Sequence, residues 1–210
     1  MSLQRFVLAI VAAGALLIVP ASGFAQQIGV KAGVNFASLT PEEEDEEPLI
    51  SRRVGPVAGV WVRAVRSARF SLQGEGLFSE KGVRFDGRAL GLNGDADLRI
   101  RYFEIPLLAR ADFGVPDSTM RAFVVGGAVP AFRLSARSKA SLEGEEQTHD
   151  STDEIKPLDL GLVGGLGVEF GPALIEARYT HGITHINEDD NGEDPIRNRV
   201  FSVTVGFRLR

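Results

Sequence analysis

The last segment of the chain alternates strictly between apolar and polar side chains. From Phe201 to Leu209, the odd-numbered positions are Phe, Val, Val, Phe and Leu, and the even-numbered positions are Ser, Thr, Gly and Arg. Successive side chains of a strand point to opposite faces, whereas a helix would distribute these apolar residues around its axis. The segment therefore predicts a β-strand with one apolar face and one polar face.

The same alternation recurs upstream and predicts seven further strands. They cover about 28–36, 54–66, 69–82, 103–113, 120–137, 158–170 and 173–180. Within them, Trp61 and Arg63 are expected on one face, and Arg133 and Arg137 are expected on the polar face. The predicted fold class is all-β, an eight-stranded antiparallel up-and-down barrel.

The connections between the predicted strands alternate in length. Short links fall at about 66–69, 114–119 and 171–172, and long polar links fall at about 39–53, 85–97, 139–156 and 187–197. Short periplasmic turns and long extracellular loops are typical of transmembrane β-barrels in bacterial outer membranes. The pattern predicts that the protein lies in the outer membrane of a Gram-negative bacterium.

The N-terminus has the features of an export signal. Arg5 precedes an unbroken apolar run at 6–19, and small residues surround Ala25. At about 14 residues, the run is shorter than the roughly 20 residues that a helix needs to cross a bilayer. We therefore expect a cleavable signal peptide at 1–25, removed after Ala25, and one β-barrel domain at 26–210.

Phenylalanines on the apolar face lie towards the strand ends. Those expected at the short-turn end are Phe70, Phe113 and Phe170, and those at the other end are Phe36, Phe78, Phe103, Phe132 and Phe201. Phe103 and Phe113 are about ten residues apart, which at about 3.3 Å per residue and a tilt of about 45° spans roughly 23 Å. A membrane barrel has an apolar band about 25 Å tall with aromatic residues at both edges. The alternative is a soluble periplasmic lipocalin-like binder, whose apolar face would point inward.

Four segments resemble the PorT-like outer-membrane β-barrel family. They are IGVKAGVNF at 28–36, LQGEGLFSEKG at 72–82, EIPLL at 104–108 and the strand at 179–187. The resemblance extends over 26–210. It implies an eight-stranded barrel of a porin family. The family name implies links to secretion or porin behaviour, but neither is transferred to this chain, because the resemblance supplies no functional residues to map. The last aromatic residue lies three positions before the C-terminus, a departure from the terminal aromatic that the outer-membrane assembly machinery often recognises.

Charged residues on the polar strand faces form the first candidate site. They are Lys31, Arg63, Glu75, Glu104, Arg110, Asp112, Arg133, Asp159, Glu169, Glu176 and Arg178. The interior of an eight-stranded barrel is just wide enough for side chains to fill it. The mixed charges therefore predict a plugged, structural network of ion pairs. The alternative is a narrow passive porin-like channel.

The last long link contains a weak calcium candidate. Asn187, Asp189 and Asn191 are spaced as at the start of a calcium-binding loop. The twelfth position is Asn198, where such a loop needs a bidentate Glu, and no helices flank the segment. We expect no specific metal site. This link and the acidic run at 42–47 are interpreted as solvated loops that attract divalent cations loosely near lipopolysaccharide.

Catalysis has little support in the sequence. His181 and His185 share a strand face near the long-loop end, as in a lipid A-modifying enzyme, and His149 lies in a loop. A nucleophilic arrangement needs a hydroxyl within hydrogen-bond reach of the imidazole, but Thr180 and Thr184 are expected on the opposite face. The chain also has no cysteine, which excludes a disulfide framework, a thiol nucleophile and a lipid anchor on Cys.

These features predict a monomeric barrel that is not an enzyme and needs no cofactor. Its role would be structural, or an interaction through its long loops with an extracellular or envelope partner that the sequence does not identify. Other expected partners are outer-membrane lipid, lipopolysaccharide and the outer-membrane assembly machinery. The formal net charge is −5 and no basic stripe is present, so a nucleic-acid partner is not expected.

Overall fold

The computed structural model describes residues 25–40, 50–65, 67, 69–86, 94–114, 119–142, 145–150, 156–184 and 197–210. The predicted signal peptide therefore lies outside the described residues. The strands are β1 (Ala25–Thr40), β2 (Ile50–Val65), β3 (Phe70–Asp86), β4 (Gly94–Glu104), β5 (Leu107–Phe113), β6 (Met120–Leu142), β7 (Glu145–Asp150), β8 (Leu158–Phe170), β9 (Ala173–Gly182) and β10 (Arg197–Arg208). Within these ranges, no helix has the length and hydropathy to cross a bilayer.

The strands pair antiparallel with their neighbours and close into a barrel. β1 pairs with both β2 and β10, so the first and last strands are joined. β4 and β5 occupy one position in the wall because both pair with β3 and β6, while β7 pairs only with β6. The wall is therefore eight-stranded, as the sequence predicts. Closure leaves the eight-stranded wall without an open edge, which matters in lipid because an unpaired backbone amide there costs several kcal/mol.

One predicted strand is interrupted where β4 gives way to β5. The sequence predicts a single strand over 103–113, but Ile105 and Pro106 belong to neither element. Pro106 has no backbone N–H to donate. The pairing continues across the gap because the Glu75 amide donates to the Pro106 carbonyl at 3.0 Å and the Ile105 amide donates to the Pro130 carbonyl at 2.9 Å. Side-chain alternation is consequently preserved across the interruption.

The two ends of the barrel differ. At the turn end, consecutive strands are joined at 66–69, 114–119 and 171–172. At the opposite loop end, strands continue into residues that the sequence assigned to links. The predicted 139–156 link is wrong in part, since it contains the end of β6 and all of β7. Polar residues occur at consecutive positions there, so no apolar alternation marks these strands.

The apolar face of the wall points outward. Leu166 of β8 is 64% exposed, and Leu72, Leu107 and Val205 on other strands are also exposed. Arg110 is only 1% exposed and faces the interior. A soluble barrel would bury the apolar face, so the lipocalin-like alternative is wrong.

Aromatic residues mark the limits of this apolar face. The strand register places Phe36 opposite Phe201, Phe78 opposite Phe103, and Phe103 opposite Phe132. These side chains therefore form two cross-strand groups towards the loop end of the wall. Phe70, Phe113 and Phe170 are exposed near the turn end. Two aromatic levels with an apolar band between them are the arrangement expected of a barrel in a bilayer.

A β-bulge in β6 changes which side chains face the interior. Tyr102 lies opposite Arg133, whereas Arg101 lies opposite Ser135, so Leu134 is an extra residue. An extra residue reverses the alternation beyond it. Ala136 is consequently buried and Arg137 is exposed on the outer wall. The prediction that Arg137 shares the interior face with Arg133 is wrong.

Candidate functional site: the charged interior

Most of the predicted interior residues are buried and bring opposite charges together in three layers. Arg133 and Asp112 are partly buried. The middle layer contains Lys31, Glu75, Glu176 and Arg178. The turn-end layer contains Arg63, Arg110, Asp112 and Glu169. The loop-end layer contains Glu104, Arg133 and Asp159.

Glu75 is the centre of the middle layer. Its carboxylate accepts hydrogen bonds from Lys31 at 2.8 Å and from the two terminal nitrogens of Arg178 at 2.6 and 2.7 Å. Glu176 contacts the same two cations, with its Oε2 3.4 Å from Lys31 Nζ. Two cations therefore face two carboxylates. The fork of Arg178 on Glu75 is the bidentate geometry that makes charge-assisted hydrogen bonds strong.

Glu169 is the centre of the turn-end layer. Four guanidinium groups contact it: Arg63 at 3.1 Å, Arg110 at 2.7 Å, Arg121 at 3.3 Å and Arg208 at 3.0 Å. The sequence interpretation did not include Arg121 and Arg208 in the site. Both lie close to strand ends, where the alternating pattern is short. The available signal for Arg121 was its even spacing from Arg133 on the same strand, which the alternation places on the polar face.

Asp112 contacts only one of these guanidinium groups, that of Arg110. The layer therefore sets four cations against two carboxylates. Arg110 also stacks on the Phe123 ring, with its guanidinium carbon 3.6 Å from the ring centroid. Arg63 lies 4.7 Å from the centroid of the Trp61 ring in the same way. Such cation–π contacts orient the guanidinium groups over apolar side chains in the interior.

An apolar cluster fills part of the interior, for which the sequence interpretation named only charged candidates. Its buried members are Trp61, Leu108, Phe123, Val125, Val129, Val163 and Leu174. Alternation already places Trp61, Leu108 and Leu174 on the polar faces of their strands. It could not assign Phe123, Val125 and Val129, because β6 carries apolar residues on both faces. Their presence replaces a hydrated surface with packed hydrocarbon at this level of the lumen.

The loop-end layer combines ion pairs with neutral hydrogen bonds. Lys81 forms an ion pair with Glu104, with its Nζ 2.6 Å from the carboxylate Oε1, and lies 5.1 Å from the centroid of the Tyr102 ring. Asp159 accepts hydrogen bonds from Thr184 at 2.7 Å and from Asn198 at 2.8 Å. Lys81, Thr184 and Asn198 were not among the predicted interior residues. Arg133 lies at this level, opposite Tyr102 in the strand register.

The other sequence candidates gain few contacts. Asn187, Asp189, Asn191 and His185 lie outside the described residues, while Asn198, the twelfth position of the calcium pattern, is buried and donates to Asp159. His181 lies beside Tyr179, with 6.5 Å between ring centroids. Among the described residues, no group of three His, Asp or Glu side chains could hold a metal ion.

Comparison with known proteins identifies the family. The protein-family model described as "Outer membrane protein beta-barrel domain" matches residues 24–188. The chain belongs to this family. Membership places the protein in the bacterial outer membrane, as the sequence predicts. A search of curated proteins by sequence gives no significant match.

Several solved structures are similar to this barrel. Neisserial surface protein A has a TM-score of 0.48 and 14% identity, covering 87% of this chain and 98% of that one. OprG from Pseudomonas aeruginosa has a TM-score of 0.46 and 12% identity, covering 89% and 95%. The outer membrane enzyme PagL has a TM-score of 0.43 and 10% identity, covering 87% and 99%. At these values the similarity concerns the fold and carries no assignment of activity.

Proposed function

We propose that this outer-membrane barrel has a closed lumen and a structural or loop-mediated interaction role. The observation that carries the proposal is that ion pairs cross the full diameter of the barrel. In the eight-stranded wall, β3 and β9 are four positions apart, and Glu75 of β3 bonds directly to Arg178 of β9. Arg63 of β2 and Glu169 of β8 also belong to strands four positions apart and lie 3.1 Å apart.

A path for solutes would have to pass both of these crossings and the apolar cluster. Side chains that touch across the whole diameter divide the lumen at those levels and narrow any column of water that could pass. The narrow-channel alternative therefore requires the ion pairs to separate, at the cost of leaving charges unpaired in the interior. This cost favours the closed lumen.

Planar-bilayer recording tests the closed lumen. We expect no stepwise conductance from the wild-type protein, because its interior pairs stay formed. The double variant E75A/R178A removes both ends of one crossing, and we expect it to admit more ions than the wild type if it remains folded by heat-modifiable gel migration. Regular wild-type conductance steps that change on neutralising Glu104 or Arg110 would establish the channel instead.

We further propose that the loop end faces the cell exterior and the turn end faces the periplasm, as in other bacterial barrels. The natural chain has no cysteine, so one introduced thiol is unique. Thr148→Cys in β7 should react with a membrane-impermeant maleimide on intact cells. The matched Ser67→Cys at the turn end should react only after the outer membrane is permeabilised. The reverse labelling pattern would mean that the orientation is inverted.

An interaction role for the loop end can be tested separately. Deleting 41–49 removes the link between β1 and β2 without removing either strand. We expect such a variant to reach the outer membrane and to migrate as a folded barrel. Cells that carry it should nevertheless show the same phenotype as cells that lack the gene. Normal behaviour after deletion of 41–49, and likewise of 143–150, would contradict a loop-mediated role.

We propose no catalytic activity. The hydroxyl of Thr184 donates to Asp159 at 2.7 Å and accepts from the Leu160 amide at 2.9 Å, so it is engaged in the wall and lumen contacts of β8. His181 has the Tyr179 ring as its described neighbour. The finer PorT-like assignment also remains a proposal, supported by the sequence segments that resemble that family.

A further inference from the structure

A second group of charges lies on the outside of the barrel, beyond the aromatic residues of the loop end. We call it the outer basic cluster; it consists of Arg53, Glu80, Asp97, Arg99, Arg101 and Arg137. In β4, Tyr102 and Ile100 are buried in the interior, so the alternating Arg101, Arg99 and Asp97 face outward. Glu80 is paired with Arg101 in the strand register and shares that face.

Cations outnumber carboxylates in the outer basic cluster. Glu80 lies 3.1 Å from Arg53, 3.3 Å from Arg99 and 3.2 Å from Arg101. Asp97 contacts Arg53. Three guanidinium groups thus contact two carboxylates, and Arg137 adds a fourth cation at this face, in a chain whose formal net charge is −5. Among the side chains that the structure describes, positive charge is therefore in excess at this face, and Asp150 of β7 lies opposite Arg137 at its edge in the strand register.

The register sets two of these cations directly against each other. Arg99 of β4 lies opposite Arg137 of β6, and the bulge at Leu134 turns Arg137 to the outer face. Side chains directly opposite in an antiparallel pair are about 5 Å apart at Cβ, and like charges in that position are destabilising. An anion bound between the two guanidinium groups would convert this repulsion into attraction.

The guanidinium groups are available to such an anion. The contacts of Arg99 and Arg101 with Glu80 use their Nε atoms, and their side chains remain 40% and 38% exposed. Terminal guanidinium nitrogens bind phosphate oxygens in a bidentate manner. Arg137 is exposed as well.

The height of the cluster matches the headgroup region. Arg101 and Arg99 lie two and four residues beyond Phe103. At about 3.3 Å per residue and a tilt near 45°, these positions are roughly 5 and 9 Å above the aromatic level that bounds the hydrocarbon. Charged groups at that height meet lipid headgroups and not acyl chains.

We propose that the outer basic cluster binds the phosphate groups of a phosphorylated glycolipid, lipid A, in the outer leaflet. The proposal rests on the orientation with the loop end outside, which the thiol-labelling experiment tests on its own. Charge, exposure, height and the opposed Arg99–Arg137 pair all point to a phosphate-bearing lipid at this face of β4 and β6.

Native mass spectrometry of the protein in neutral detergent tests the proposal with defined lipids. Bisphosphorylated lipid A should bind at least about tenfold more tightly than the same lipid A with its phosphates removed, since a lost charge-assisted hydrogen bond costs at least about that factor. The variant R99Q/R137Q should lose most of this preference. The matched control R69Q/R210Q removes the same charge from exposed arginines at the turn end and should retain the preference.

Three results would overturn the proposal. Equal binding of the two lipid forms would show that phosphate is not the recognised group. An unchanged preference for the phosphorylated form in R99Q/R137Q would show that the outer basic cluster is not the binding site. Displacement of lipid A by low millimolar inorganic phosphate would assign the site to a soluble anion. Heat-modifiable migration and β-type circular dichroism confirm that each variant is folded, and R99K/R137K, which retains charge without the bidentate fork, should show intermediate affinity.

Discussion

Glu75 holds two cations in the middle of the barrel, and replacing it with glutamine removes their counter-charge while nearly preserving the volume. Its side chain is 0% exposed, and those of Lys31 and Arg178 are 1% and 7% exposed. Glu176 would then be the only described carboxylate left in contact with both cations. Breaking a buried pair by removing one partner costs about 3–5 kcal/mol. We expect E75Q to lower the free energy of unfolding by an amount in this range.

Urea unfolding in lipid vesicles measures the effect, with Trp61 fluorescence as the signal. Trp61 is the only tryptophan of the chain and is 1% exposed. The decisive comparison is the double variant K31M/E75Q, which removes one cation with the carboxylate and leaves Arg178 paired with Glu176. Replacing a buried pair by neutral side chains is often nearly neutral, so the double variant should be more stable than E75Q by about 2 kcal/mol or more.

Two outcomes would refute this reasoning. If E75Q unfolds within about 1 kcal/mol of the wild type, water must already solvate the middle layer, and the closed lumen loses its main support. If K31M/E75Q is less stable than E75Q, the stability loss of E75Q does not come from the unpaired cation that it leaves in the interior. It then comes from the loss of the contacts that Lys31 and Glu75 make. Neither outcome could be attributed to the loops, because all the substituted residues lie in the barrel interior.

Further substitutions test the two faces of the wall. Gly167→Ala would place a Cβ 2.4 Å from the Phe123 ring, whereas a Cβ added at Gly164 on the same strand meets no atom within 4 Å. In urea unfolding, Gly167→Ala should lower the free energy of unfolding by about 1–3 kcal/mol, and Gly164→Ala should lower it by under about 1 kcal/mol. Leu166→Arg places a charge in the apolar band and should cost about 2–4 kcal/mol, whereas Leu209→Arg near the turn end should cost about 0–1 kcal/mol. Equal costs within either pair would contradict the assigned faces.

The sequence alone predicted the wall because lipid and lumen impose opposite chemistry on alternate residues. Lys31 and Asn35 point inward and Val30 and Val34 outward, as the alternation requires. The same rule failed at Leu134, because a bulge adds one residue without any composition that announces it. Beyond that point Ala136 and Arg137 take the faces opposite to the predicted ones.

The interior contacts were only partly predictable for a different reason. Alternation identifies which residues face the lumen, but it does not say which strand lies across from which. The contact of Glu75 with Arg178 depends on the closure of β1 with β10, which sets β3 opposite β9. Phe123 and Val125 were missed because β6 is apolar on both faces, so periodicity cannot separate lipid-facing from lumen-facing side chains.

The two charge systems of the barrel should therefore respond to substitution in opposite ways. Inside, the middle layer is balanced and buried, so removing Glu75 changes stability and should leave lipid A binding unchanged. Outside, the outer basic cluster is unbalanced and exposed, so R99Q/R137Q should weaken lipid A binding. That variant should also preserve or slightly raise stability in lipid-free detergent, because it relieves the repulsion between opposed cations. If E75Q changes only stability and R99Q/R137Q changes only lipid A binding, the interior charges stabilise the barrel and the outer basic cluster binds lipid.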